Sequence, residues 1–191
     1  MTDTPTDRFT AFEASRLLTQ GSLAEVAIAV RHALDARPEA AILVFEDAHG
    51  TVRDLDLRGD AAALRERYAP PIPQAAAPPR GRGRPSLGVV AREVTLLPRQ
   101  WDWLAMQPGG VSAALRRLID QARATRHDAD AQRARREAAY RVMSAAGGDL
   151  PGFEEAARAL FAGDDAAFRD RLKDWPADLR RYVERLASGT P

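Results

Sequence analysis

The residue types with legible chemistry lie between Arg80 and Arg123. There Arg80, Arg82, Arg84, Arg92, Arg99, Arg116, Arg117 and Arg123 stand against only Glu93, Asp102 and Asp120. Guanidinium groups at this density favour contact with a polyanion, because they form charge-assisted and often bidentate bonds to phosphate oxygens. Frequency alone does not carry the point: 27 of the 28 basic residues are Arg, with Lys173 the exception, and such an excess follows from a GC-rich coding sequence. Distribution does carry it. Residues 1–68 hold 8 basic and 12 acidic side chains, a net −4; residues 69–126 hold 9 and 3, a net +6; residues 127–191 hold 11 and 12, a net −1. A chain of net charge +1 gathers its positive charge in its middle third, an asymmetry that points to a nucleic-acid-like partner.

No catalytic constellation accompanies this charge. The three histidines, His32, His49 and His127, are scattered, with no pair at i,i+4 and no neighbouring ligand cluster, so no metal site is expected. Cysteine is absent, which removes disulfides, thiol catalysis and thiolate ligands together. Asp54 and Asp56 fit a solvated strand face, and Asp164-Asp165 fits a helix cap. There is no Walker-type loop, no dinucleotide glycine pattern after a strand and no nucleophile elbow. The expectation is a non-enzyme without cofactor. A site assembled from distant serines or carboxylates stays open.

Arg80-Gly81-Arg82-Gly83-Arg84-Pro85 resembles an AT-hook, whose core Arg-Gly-Arg-Pro is matched by Arg82, Gly83, Arg84 and Pro85. Glycine lets an extended backbone sit deep in a narrow minor groove, and the flanking guanidiniums enter its enhanced negative potential over A·T tracts. Ser86-Leu87-Gly88 follows where further basic residues often stand, and a solvated basic linker is the plainer reading of the same residues.

Residues 92–122 resemble the ribbon-helix-helix fold of bacterial and plasmid regulators: a short strand, Pro98 opening a helix, a break at Pro108-Gly109-Gly110, and a second helix beginning near Ser112. The resemblance implies a homodimer whose paired strands enter the major groove. It also implies a phosphate held near Gly110, Val111 and Ser112 at the amino end of the second helix, with Arg99, Arg116 and Arg117 adding charge. Counted back from the proline, the groove-facing residues would be Leu96, Val94 and Arg92, and two aliphatic side chains cannot read base edges. The other parity offers Thr95 and Glu93. Either the register is shifted or the ribbon dimerises without reading bases; an ordinary strand-helix-helix piece within one domain is the third possibility. Trp101 is expected in the core. Trp103, two residues on and so on another helical face, is expected at an interface.

The elements that would position these residues are legible from periodicity. Arg8–Phe12 and Arg16–Thr19 alternate as two strands around a turn at Glu13-Ala14-Ser15. Ser22 and Glu25 form a capping box for a helix carrying Leu23, Val26, Ala27, Val30 and Leu34, which ends before Pro38. Ala41–Phe45 reads as a buried strand. A turn at 47–50 leads to a last strand with Val52, Leu55 and Leu57, and Asp60 caps a short helix to Tyr68. The second helix of the middle region runs on through its Arg-rich stretch to Gly147-Gly148. Three short helices follow, with Phe153, Leu160 and Phe161; with Phe168 and Leu172; and with Leu179, Tyr182, Val183 and Leu186.

The fold class is therefore α+β, in four parts: a small α+β domain at 1–68, a Pro/Arg-rich linker at 69–88, a ribbon-helix-helix-like element at 89–124 and a helical region at 125–191. No apolar run reaches the ~20 residues that span a bilayer, and Met1–Arg8 lacks the character of a signal peptide, so a cytoplasmic location without membrane contact is expected. Leu55-Asp56-Leu57-Arg58-Gly59, the run from Gly83 to Gly110, Gly148–Glu155 and Trp175-Pro176-Ala177-Asp178 together resemble an uncharacterised bacterial family, which implies a recurring arrangement and no activity. Two functions remain: a DNA-binding regulator or nucleoid-associated protein that holds A·T-rich minor groove and phosphate backbone, or a protein-interaction or scaffolding module in which the basic linker is merely solvated.

Overall fold

The computed structural model describes residues 8–70 and 90–189. They fall into two compact units, the first from residues 1–70 and 129–191, the second from residues 71–128.

The first unit is built on a four-stranded antiparallel sheet of order β2-β1-β3-β4: β1 (Phe9–Glu13), β2 (Arg16–Gly21), β3 (Ile42–Glu46) and β4 (Thr51–Val52). β1 and β2 form the hairpin read from the alternation, with a register shift after Ala11 and with Ala14 at φ 52° in the turn. Helix α1 (Leu23–Ala36) starts on the expected capping box, the Ser22 hydroxyl accepting from the Glu25 amide while Glu25 reaches back to the Ser22 amide at 2.8 Å. Helix α2 (Ala61–Arg67) is capped by Asp60, whose carboxylate accepts from the Ala63 amide at 2.9 Å.

The last strand is shorter than its pattern. Pairing stops at Val52, and Leu55 and Leu57 pack onto the α1-side core from a segment without strand structure. Side chains take over the backbone bonds that a ladder would make. The Tyr68 hydroxyl accepts from the Asp56 amide at 2.7 Å, Arg67 donates to the Asp56 and Arg58 carbonyls, and Arg31 donates to that of Leu57.

Strand parity divides the core in two. Phe9, Ala11 and Val44 meet Val26 and Val30 of α1 on one face of the sheet. Phe12 and Phe45 lie on the other, under a layer made by the end of α4 (Gly110–Gly147) with α5 (Phe153–Ala162), α6 (Asp165–Leu172) and α7 (Ala177–Ser188). The boundary expected between a domain at 1–68 and a separate helical region at 125–191 is not where the packing divides the chain. A sheet apolar on both faces must be covered on both, and the C-terminal helices supply the second cover.

Polar bonds fix this layer to the sheet. Asp47, just after β3, accepts from the Thr10 hydroxyl at 2.7 Å, from the Tyr182 hydroxyl at 2.8 Å and from Arg185 at 3.0 Å. Asp178 accepts from the Leu17 amide at 2.9 Å, which holds its carboxyl below the usual carboxylate range. Trp175 is buried and its indole N–H donates to the Pro151 carbonyl at 2.9 Å. A side chain at Gly147 would collide with that indole.

In the second unit α3 (Pro98–Ala105) begins at the expected proline, with Gln100 accepting from the Leu97 amide at 2.8 Å. α4 begins at Gly110, two residues before the expected Ser112, after a turn in which Gly109 and Gly110 both take positive φ. Residues 90–97 are not paired into the expected strand at 89–97. A strand needs a partner backbone, and no described part of this chain supplies one. Over the described residues the fold is thus a four-stranded antiparallel sheet and seven helices, mixed α+β with a mostly helical C-terminal part.

Candidate nucleic-acid interface

Arg80, Arg82, Gly83, Arg84 and Pro85 lie outside the described residues, so the site can be built only from residue 90 onward. The order there is a segment without helix or strand, then α3, a turn and the first part of α4. Leu104 and Ala114 are buried between the two helices, Leu104 at 3% exposure. Arg92, Thr95, Arg99, Ser112, Arg116 and Arg117 are all exposed. Ser112 falls in the first turn of α4, where backbone N–H groups lack helical acceptors and the helix dipole is positive.

Arg117 folds back toward that same end. Its guanidinium donates to the Pro108 carbonyl at 3.0 Å and passes beside Gly109. The turn that opens α4 thus gathers a dipole, free-pointing amides and a cation, an arrangement that suits an anion chemically.

The described arginines of this unit form no ion pair with a described carboxylate. Among the described residues every arginine–carboxylate ion pair lies in the first unit, from Arg31–Asp35 at 2.8 Å to Arg181–Asp178 at 2.6 Å. None involves Arg92, Arg99, Arg116, Arg117, Arg123 or Arg126, although Asp120 stands one helical turn from Arg116. Unneutralised guanidiniums keep their full charge for an outside partner.

Leu96 lines a groove of about 450 Å³ with Trp103, Leu104, Leu115 and Leu118, and Arg99 and Gln100 stand at its polar edge. Val94 and Arg92 are exposed, as are Glu93 and Thr95. Trp101 departs from its expected core position: it is 39% exposed, and Trp103 is 47% exposed. Two short helices enclose too little volume to bury two indoles on different faces.

Among the described residues no three His, Asp or Glu side chains gather to hold an ion, and no helix is long and apolar enough to cross a membrane. A family model described as an uncharacterized protein conserved in bacteria (DUF2239) matches residues 8–187. The chain belongs to that family. Its match runs through both units of the DUF2239 chain, sheet, basic middle and C-terminal helices alike. No curated protein and no solved structure matches it.

The uncommitted arginines were visible in the charge distribution, but the groove was not. Leu96, Leu115 and Leu118 look like ordinary core positions in a periodic pattern. Only the exposure of their neighbours marks them as a face without a cover among the described residues.

Proposed function

We propose that this chain is a DNA-binding protein, a transcriptional regulator or nucleoid-associated protein, whose middle third grips duplex DNA chiefly through phosphate and minor-groove contacts. One observation carries the reading: none of the six exposed arginines of residues 90–128 has a described carboxylate partner, whereas ten arginines of the first unit do. Two further features support it. The first turn of α4 with Arg117 beside it suits a backbone phosphate, and Arg82-Gly83-Arg84-Pro85, just upstream, has the composition of a minor-groove hook.

Leu96 and Val94, counted back from Pro98, and Glu93 on the other parity give poor grounds for reading base edges, so the reading is of backbone and groove shape over sequence. The ribbon-helix-helix likeness enters only through the order of the elements. Arg92 contributes charge in this reading and no base contact. No catalytic step and no cofactor belong to it.

The test is the affinity for a duplex of ~20 base pairs across a salt series. If six phosphates are neutralised, log K falls with log salt with a slope near −5, and A·T-rich duplexes bind more tightly than G·C-rich ones. No measurable binding at ~50 mM salt would overturn the proposal and leave the protein-interaction reading, which the uncovered groove at Trp103 and Leu118 favours.

A further inference from the structure

Helix α1 carries one large apolar side chain on the face away from the sheet. Its core stripe is Val26, Ala27, Val30 and Ala33, all buried. At about 100° per residue, Ile28 falls opposite that stripe. It is half-buried and belongs to neither core cluster.

Two clefts meet on this residue. One, of about 540 Å³, lies between α1 and the start of α2, with Ile28, Ala61 and Leu64 as its apolar lining. The other, of about 510 Å³, has Ala24, Ile28 and Ala29 on α1 and Arg65 on α2. Ile28 and His32 line both. Small-molecule sites are commonly clefts of ~300–1,000 Å³ with an apolar lining and a few polar groups.

The polar groups decide which molecule fits. Three are carboxylates, and each is already engaged by its own chain. Glu25 accepts from the Ser22 amide and hydroxyl at 2.8 Å, Asp60 from the Ala63 amide at 2.9 Å, and Asp35 from Arg31 at 2.8 Å. Glu25 and Asp60 also stand at helix starts, where the dipole offsets negative charge. Arg31 is spent on Asp35 and on the Leu57 carbonyl, both at 2.8 Å. His32 and Arg65 are exposed, and neither has a hydrogen bond or ion pair among the described residues. What the clefts offer is therefore apolar carbon beside two unengaged donors.

We infer that these adjoining clefts bind a small carboxylic acid with an apolar body. The body lies against Ile28, Leu64 and the alanines, and the carboxylate accepts from Arg65 in charge-assisted bonds, with His32 as the second donor. An ammonium in the same place would face those donors and compete with two caps and an ion pair for its acceptors. Because His32 belongs to α1 and Arg65 to α2, an acid held by both ties the two helices together and stabilises the folded first unit. The inference concerns that unit alone, so a failure of the DNA reading would leave it standing.

The experiment uses the full chain with hexanoate, and with hexylamine and hexanol as probes of equal length but opposite or no charge. Methyl spectra of isoleucine read the site directly, since the chain has isoleucine only at 28, 42, 72 and 119. The Ile28 methyl should shift saturably with hexanoate at a Kd of ~1 mM while Ile119 stays in place. Hexylamine and hexanol should bind at least ~10-fold more weakly, for want of the charge-assisted bonds. Arg65→Glu should weaken hexanoate by at least ~10-fold with the far-ultraviolet spectrum unchanged, and Arg65→Lys should retain most of the affinity. Arg169→Glu, exposed on α6, should leave binding intact. No shift of the Ile28 methyl up to ~20 mM hexanoate, about twenty times the expected Kd, overturns the inference. So does a shift that hexylamine reproduces at equal concentration, that Arg65→Glu leaves unchanged, or that Arg169→Glu weakens as much.

Discussion

The Tyr182 hydroxyl donates to the Asp47 carboxylate at 2.8 Å, joining the penultimate turns of α7 to the end of β3 across 135 residues of chain. The ring lies 5.2 Å from that of Phe12 and 6.2 Å from that of Phe45, with Arg185 over its face at 5.1 Å. One side chain thus fills the apolar layer between sheet and helices and ends on its main polar bond.

Tyr182→Phe should cost ~1–2 kcal/mol near neutral pH, since it removes one partner of a nearly buried carboxylate. Burial, and then the Asp47 charge, push the Tyr182 hydroxyl well above its ordinary range. A raised value in the folded state means stability that is complete below pH ~10, where the unfolded tyrosine begins to ionise, and that falls as pH rises further, by up to ~1.4 kcal/mol per unit. Urea unfolding of wild type and Tyr182→Phe at pH 8 and 11 should show the gap between them narrowing at the higher pH. A constant gap would contradict this.

Asp178 behaves in the opposite sense. The Leu17 amide, and then Arg181, hold its carboxyl below the ordinary range. A lowered value contributes stability above pH ~4 that disappears as pH falls. Asp178→Asn should therefore be less stable than wild type at pH 7, with the difference shrinking as the pH is lowered below ~4, read from thermal unfolding.

Gly50 closes the turn between β3 and β4 at φ 64°, and a Cβ there would run into the Ala138 carbonyl of α4. Gly50→Ala combines left-handed backbone strain with a backbone collision, so a loss of more than ~1–2 kcal/mol in denaturant unfolding is expected. Gly110→Ala, also at positive φ but with nothing nearby, should lose only the strain part.

Arg82→Ala with Arg84→Ala should reduce the preference for A·T-rich over G·C-rich duplexes, because a hook reads groove width. Arg116→Ala with Arg117→Ala should weaken both duplexes equally and lower the salt slope by about 2. Competition binding with the two duplexes at one salt concentration distinguishes the pairs.

Local signals were the legible part of this fold. The Ser22–Glu25 box, the Asp60 cap, Pro98 and the Gly147 stop lie where the spacing puts them, because each rests on contacts within a few residues. The misjudged parts depended on distant residues. Leu55 and Leu57 alternate like a strand, yet Arg31, Arg67 and Tyr68 satisfy their neighbours' backbone instead. Trp101 looked like core only on the assumption that its unit has enough mass to bury it. The continuous apolar run at 42–45 did hold the missing clue, since β3 with both parities apolar requires a cover on each side, and only the helices beyond residue 129 were left to provide one.

That same arrangement sets the order in which the chain can acquire its structure during synthesis. α1 covers its side of the sheet as soon as residues 8–46 have left the ribosome. The layer that covers Phe12 and Phe45 starts only near Ala139 and is completed by Tyr182, more than 90 residues and several seconds later at ordinary translation rates. The basic middle third emerges during that wait, so the most charged part of the chain is the one that accompanies its most exposed aromatic surface.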